Sequence, residues 1–199
     1  GVSTLARLLN PKIKNIAVDP AGPTCQKASL EAGKVVTVPH INTIADGTAV
    51  QTPGDKLFPY LQANVDQVLP VDDSELTLSF LDMAENHKMI VENSGLLTVA
   101  ALKHLDFQGK KVVSVLSGGN MDVLTMATVL QNGLMQRDRM LTITVMLPDK
   151  PGQLAVVSNL IAREQGNVIK LDHNVFANVN RAAGVELTIT MESFGTEHK

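Results

Sequence analysis

The chain reads as α/β: a largely parallel sheet with helices on both faces, followed by a smaller, partial ferredoxin-like unit. Three observations predict this. Strand-like and helix-like patterns alternate through the first two thirds at the spacing of a parallel sheet covered on both faces. The β-branched run Lys111-Val-Val-Ser-Val-Leu116 ends abruptly in Ser117-Gly118-Gly119-Asn120, and a helical pattern follows. The carboxyl end of such a strand is where an open α/β sheet places its ligands. Beyond residue 140 the order changes to strand, helix, strand, strand, the start of a ferredoxin-like unit.

The elements follow in order. Ser3 to Leu9 reads as the end of a helix, stopped before Pro11. Lys14 to Val18 is a short buried strand, and Asp19-Pro20-Ala21-Gly22-Pro23 a loop. Thr24 to Ala32 is helical, with Gly33 as its stop. Gln67 to Val71 is a strand. Asp72 then caps a helix, with Glu75 three residues on. Leu76, Phe80, Met83 and Ala84 lay an apolar stripe on that helix. Lys88 to Glu92 reads as a strand and Ser94 to His104 as a helix. Lys111 to Leu116 is the next strand and Met121 to Asn132 the next helix.

The polar stretch after Met135 reads as a linker, giving domains at 1–135 and 141–199 joined by 136–140. Leu141, Ile143, Val145 and Leu147 alternate with Thr142, Thr144 and Met146, so one face of that strand is buried. Pro148 to Gly152 turns the chain. Leu154, Val157 and Ile161 stripe a helix that ends at Gly166. A second strand puts Ile169, Leu171, His173 and Val175 on one face, and a third does the same with Val185, Leu187, Ile189 and Met191. A complete unit would add a helix and a strand after Lys199, so this domain is expected to be cut short.

Composition narrows the function. Of the 199 residues 44% are hydrophobic and 19% charged, which suits a real core. Aromatic content is 3%, with no Trp and Tyr60 as the one Tyr, which argues against a stacking platform for single strands. A net charge of −3 offers no basic footprint for nucleic acid or anionic membrane. The lone Cys25 excludes an internal disulfide and fits a reducing, cytoplasmic setting. No apolar run suits a bilayer span. The amino end has neither a signal-peptide layout nor an initiator Met, so the chain is expected to be a fragment.

Metal and nucleophile patterns are not found. His40, His87, His104, His173 and His198 are isolated, and there is no Cys-x-x-Cys pair, phosphate loop or nucleophile elbow. Asp72-Asp73 reads as a helix cap rather than an acid-base pair. In Ser117-Gly118-Gly119-Asn120 the glycines let backbone approach a flat or anionic group, and Ser117 and Asn120 add polar handles. The bland alternative is a strand, a turn and a helix with no ligand. Gly152 follows Pro151 at a strand-to-helix junction, where free backbone N–H groups suit a carboxylate.

Four motifs come in order: Ile44-Ala45-Asp46-Gly47-Thr48-Ala49-Val50, Pro53-Gly54, Val91-Glu92-Asn93-Ser94-Gly95 and Ser117-Gly118-Gly119-Asn120. Their order and intervals resemble the carboxyl half of the catalytic domain of threonine ammonia-lyase (threonine deaminase). That family is pyridoxal-phosphate dependent, of fold type II, with a tryptophan-synthase-β-like domain. Asp149-Lys150-Pro151-Gly152-Gln153-Leu154 resembles the turn of an ACT regulatory domain.

The resemblance implies pyridoxal phosphate as cofactor, with Ser117 at the pyridine nitrogen, Gly118 giving the ring edge room, Glu92 beside the ring and Gly47 letting backbone pass close. Asn120 is expected to hold the turn. The family's Schiff-base lysine lies in a motif absent from this chain, so the chain alone is expected to be inactive. Asn93, Leu96 and Leu97 depart from the small residues usual after the glutamate. Asp19 stands where some relatives ligate a cation, but Cys25 replaces the second acidic ligand, so no metal is expected.

For the parent, the resemblance implies β-elimination of L-threonine to 2-oxobutanoate and ammonia, on the way to isoleucine. The alternatives are a serine dehydratase or racemase of the same fold acting on L-serine, or a non-catalytic regulatory or assembly fragment. It further implies a small amino-acid effector held by Pro151, Gly152, Gln153 and Leu154, with Asn167 as second contact, in a homo-oligomer.

Overall fold

The computed structural model describes residues 1–174 and 184–199. The chain divides into two compact units, Gly1–Leu130 and Gln131–Lys199. The division falls inside a helix, α6 (Val123–Gln136), ahead of the polar stretch expected to link two domains. Leu134 and Met135 are strong helix formers. They carry the helix on until Asp138 turns the chain at φ 52°.

The first unit opens with α1 (Val2–Leu9). The strands β1 (Ile16–Pro20) and β2 (Gln67–Val71) pair in parallel, from Ile16 opposite Gln67 to Pro20 opposite Val71. Between them lie α2 (Cys25–Ala32) and α3 (Phe58–Asn64). Gly33 ends α2 in the left-handed region, as its type predicts. Asp66, just ahead of β2, accepts from Arg7 Nη2 at 2.7 and 2.8 Å and from the Asn15 N–H at 2.7 Å. One carboxylate thereby ties α1 and the approach to β1 to the start of β2.

After β2 comes α4 (Asp73–Asp82). Asp72 and Glu75 close the expected capping box, the Glu75 carboxylate accepting from the Asp72 N–H at 3.0 Å. Leu76, Phe80 and Met83 of the stripe are buried. They pack with Val71, Val91 and with Leu96, Leu97 and Ala100 of α5 (Asn93–Ala100) into one core.

Two expected strands are not strands here. Lys88–Glu92 and Lys111–Leu116 run without a ladder partner among the described residues. Strand pairing needs a neighbour for each N–H and C=O. Val112, Val113 and Val115 stay exposed, Val113 by 87%. The second segment is instead pinned by α5: Thr98 Oγ1 donates to the Val115 carbonyl at 3.1 Å, and Ser114 Oγ to that of Thr98 at 3.2 Å. The parallel sheet is therefore one pair of strands, and α/β describes the unit at that level.

In the second unit β3 (Met140–Leu147), α7 (Gln153–Arg163), β4 (Asn167–Asn174) and β5 (Val185–Glu192) follow in turn. The sheet order is β3-β5-β4, with β5 antiparallel to both neighbours. This is a split β-α-β with its third strand inserted between the first two. Leu187, Ile189 and Met191 form the core under Leu141, Ile143, Val145 and Leu147, and Leu154, Val157 and Ile161 of α7 cover it. The opposite face carries threonine pairs, Thr142 with Thr190 at 2.9 Å and Thr144 with Thr188 at 3.0 Å.

The expected face of β4 needs one correction. Val168 lies opposite Met191 and Lys170 opposite Thr190, so Ile169 is the extra residue of a bulge. The core-side row is thus Val168, Leu171 and His173, and all of β4 is exposed. Val175, expected on that face, lies outside the described residues.

Candidate cofactor site

The site is built where α5 starts. The Glu92 N–H donates to the Gly118 carbonyl at 3.3 Å, joining two segments that are 26 residues apart (118 − 92). Gly118 sits at φ +80°, and a Cβ there would stand 2.1 Å from Glu92 Cδ and Oε1. No side chain fits between that backbone and the Glu92 carboxyl. A Cβ on Gly95, one turn into α5, would meet the Ser117 carbonyl oxygen at 1.9 Å. Two glycines therefore let the Ser117–Gly118 turn lie directly on the start of α5.

Gly47 belongs to the same place. It lies in the short turn Asp46–Thr48, and a Cβ on it would meet Ser94 Oγ at 2.9 Å. The loop ahead of it is held from two sides. Asn93 Nδ2 donates to the Ile44 carbonyl at 3.0 Å. Asp73 accepts from Thr43 Oγ1 at 2.5 Å and from the Ile44 N–H at 3.0 Å. The Asp72-Asp73 pair thus divides its work: Asp72 caps α4, and Asp73 orients the loop that carries Gly47.

Ser117, Gly118, Glu92 and Gly47, singled out in the sequence, are therefore brought together around the start of α5. Ser117 and Gly118 are exposed and Glu92 half-buried, so the polar edge is open to a ligand. Asn120 is exposed too, and the turn after Ser117 is closed by backbone, the Met121 N–H donating to the Gly119 carbonyl at 3.0 Å. Asn93, Ser94 and Gly95 stand in the motif after Glu92 with no role assigned from sequence, and Asp73 reads there only as part of a helix cap. Asn93 Oδ1 and Ser94 Oγ are buried without a hydrogen-bond partner. Such orphaned atoms cost roughly 1–3 kcal/mol each.

The end of β1, which takes in Asp19 and Pro20 that sequence assigns to a loop, and the start of α2 hold a second polar cluster. Asp19 and Thr24 are both buried; burial pushes the Asp19 carboxyl up, and Thr24 and the backbone at Lys27 partly offset this. Burial also pushes the Cys25 thiol up, and Asp19 adds to this. Among the described residues no three His, Cys, Asp or Glu side chains are grouped to hold a metal ion.

Two cavities stand out. One of about 330 Å³, lined by Lys27, Gln62 and Asp66 among others, lies at the amino end of β2, and none of its lining residues belongs to the site at the start of α5. The other, of about 280 Å³, is an open pocket lined by the turn from Leu147 to Leu154 and by His173. Pro151, Gly152, Gln153 and Leu154 all line it, and Gly152 caps α7 at φ +89°. Asn167 does not. A β-α-β crossover runs β4 parallel to β3, so Asn167 stands at the far end, opposite Glu192, whose carboxylate accepts from its Nδ2 at 2.8 Å. His173 occupies the turn end of β4 instead.

A flat ring with a polar edge fits the first site. The missing side chain of Gly118 lets the Glu92 carboxyl lie against the turn, and the Ser117 hydroxyl and that carboxyl offer a donor and an acceptor. The family model for pyridoxal-phosphate dependent enzymes matches residues 1–118. The chain belongs to that family. It is 36% identical over 201 residues to an L-threonine ammonia-lyase from Geobacter sulfurreducens, covering all of this chain and 50% of that protein. A structure of threonine deaminase isoform 2 from Solanum lycopersicum superposes with a TM-score of 0.60 at 26% identity, over 66% of this chain and 39% of that one. Maize serine racemase superposes with a TM-score of 0.57 at 33% identity, over 65% and 43%. The chain thus spans about half the length of the relatives it matches. No helix among the described residues is long and apolar enough to cross a membrane.

Proposed function

We propose that this chain is part of a threonine ammonia-lyase that converts L-threonine to 2-oxobutanoate and ammonia. The observation that carries the reading is the Ser117–Gly118 turn seated on the Glu92 end of α5. Pyridoxal phosphate, when bound, supplies the electron sink for β-elimination. Ser117 would meet its pyridine nitrogen with a hydroxyl. A hydroxyl does not hold that nitrogen protonated as a carboxylate would, which tempers the sink and favours loss of water over transamination. Glu92 would stand beside the ring, its carboxyl filling the space that a side chain on Gly118 would take. The Schiff-base lysine is supplied by residues outside this chain. The second unit is read as ACT-like: its split β-α-β order and the cavity at Gly152 suit a regulator that binds a small amino acid.

The test uses full-length protein with pyridoxal phosphate and L-threonine or L-serine. 2-Oxobutanoate from threonine is the expected product. The serine-racemase likeness supports a second reading. Discrimination by one methyl is worth only about 1–3 kcal/mol. D-serine formation without keto acid would replace the lyase by a racemase, and turnover of neither substrate would leave the non-catalytic reading.

A further inference from the structure

Gly47 has a neighbour of its own. The space beside it is filled by Ser94, whose Oγ and Cβ would lie 2.9 and 3.4 Å from an added Cβ. That hydroxyl is buried and has no hydrogen-bond partner. Next to it Asn93, 5% exposed, commits its Nδ2 to the Ile44 carbonyl and leaves Oδ1 buried and unpartnered. Folding alone would prefer alanine at 94, because a buried hydroxyl without a partner is worse than a methyl. The Ile44–Gly47 loop is already gripped from α4 by Asp73. The α5 residues add a second grip next to the Glu92–Gly118 contact.

We propose that Asn93 and Ser94 are positioning residues of the cofactor site. Asn93 ties down the Ile44 carbonyl, and the Ser94 hydroxyl props the Gly47 backbone so that this loop stands as a fixed wall. Position 47 is then glycine because position 94 is serine, rather than only because a ring passes close. This rests on reading the site as one for pyridoxal phosphate.

The experiment is a double-mutant cycle in full-length protein: Gly47→Ala, Ser94→Gly and the pair. It is read as the dissociation constant of pyridoxal phosphate and the Tm of cofactor-free protein. Gly47→Ala alone is expected to weaken cofactor binding about tenfold, and in the Ser94→Gly background to cost less than about twofold. Ser94→Ala is expected to leave Tm unchanged or raise it while weakening cofactor binding about threefold, the opposition of stability and function expected of a retained orphan hydroxyl. An equal cost of Gly47→Ala in both backgrounds overturns the proposal. So does a Ser94→Ala protein with lower Tm and unchanged cofactor affinity. If the wild type binds no pyridoxal phosphate, the cofactor reading fails on its own. The coupling is then read in Tm, where additive losses overturn the interlock and non-additive losses support it.

Discussion

Gly118 carries two constraints at once. Its φ of +80° disfavours any side chain, and its missing Cβ is where the Glu92 carboxyl sits. Left-handed backbone costs a non-glycine residue about 1–2 kcal/mol. Gly118→Ala should therefore lower Tm and, by displacing Glu92, weaken pyridoxal phosphate binding about tenfold or more. Fluorescence titration beside thermal unfolding checks both, and unchanged affinity would detach Gly118 from the site. Ser117→Asp puts a carboxylate at the proposed ring partner. It should slow elimination and raise the share of transamination, with Tm near wild type, because Ser117 is exposed. An unchanged product ratio in folded protein would remove Ser117 from the ring. Ser117, Gly118 and Glu92 could be singled out because they stand in ordered motifs, as Asn93 and Ser94 also do. What Asn93, Ser94 and Asp73 touch could not be read, because those contacts reach across 29 to 49 residues of chain.

At the scale of elements, local chemistry was the legible part. The capping box at Asp72 and Glu75, the stop at Gly33 and the alternation in β3 and β5 each depend on neighbours in sequence. Pairing was less legible. Lys111–Leu116 has strand composition but no ladder, and the Ile169 bulge shifts the face of β4, which periodicity alone does not reveal. Asn167 was misplaced for a related reason, since the direction of β4 puts it at the far end of the sheet from Gly152. The tie between α1 and β2 yields a prediction of its own. The Arg7 guanidinium, and then the Asn15 N–H, hold the Asp66 carboxyl below the usual carboxylate range. A depressed folded value means the tie stabilises above the unfolded value, about 3.9, and fades as pH falls through the folded one. Asp66→Asn should lower Tm at pH 7, and the gap to wild type should close below about pH 4. Thermal unfolding across pH 3–7 measures it. A gap that stays constant with pH would mean the carboxylate's charge contributes nothing.

For the whole molecule the question is whether the second unit speaks to the first. Among the described residues the outer edges of β3 and β4 have no partner strand, and exposed edges tend to be covered or paired with another copy. Self-association is therefore expected, and sedimentation of the full-length protein measures it. The cavity at the Leu147–Leu154 turn combines the start of α7 with apolar Leu147 and Leu154 and with His173. A helix start suits a carboxylate, and the apolar lining suits a short branched side chain such as that of isoleucine or valine. Coupling between such an effector and threonine should be of order 1–3 kcal/mol and the same in both directions. Gly152 decides the test. It has no atom within 4 Å of an added Cβ, so a side chain has room, but its φ of +89° strains any residue placed there. Gly152→Asp adds negative charge where the carboxylate would lie, whereas Gly152→Asn adds the same bulk with better tolerance of that backbone and no charge. Calorimetry with branched-chain amino acids should show binding abolished in Gly152→Asp and only weakened in Gly152→Asn, with uninhibited turnover near wild type in both. Full binding by Gly152→Asp would place the effector elsewhere. Equal loss in both variants would assign the effect to backbone strain rather than to charge at the helix start.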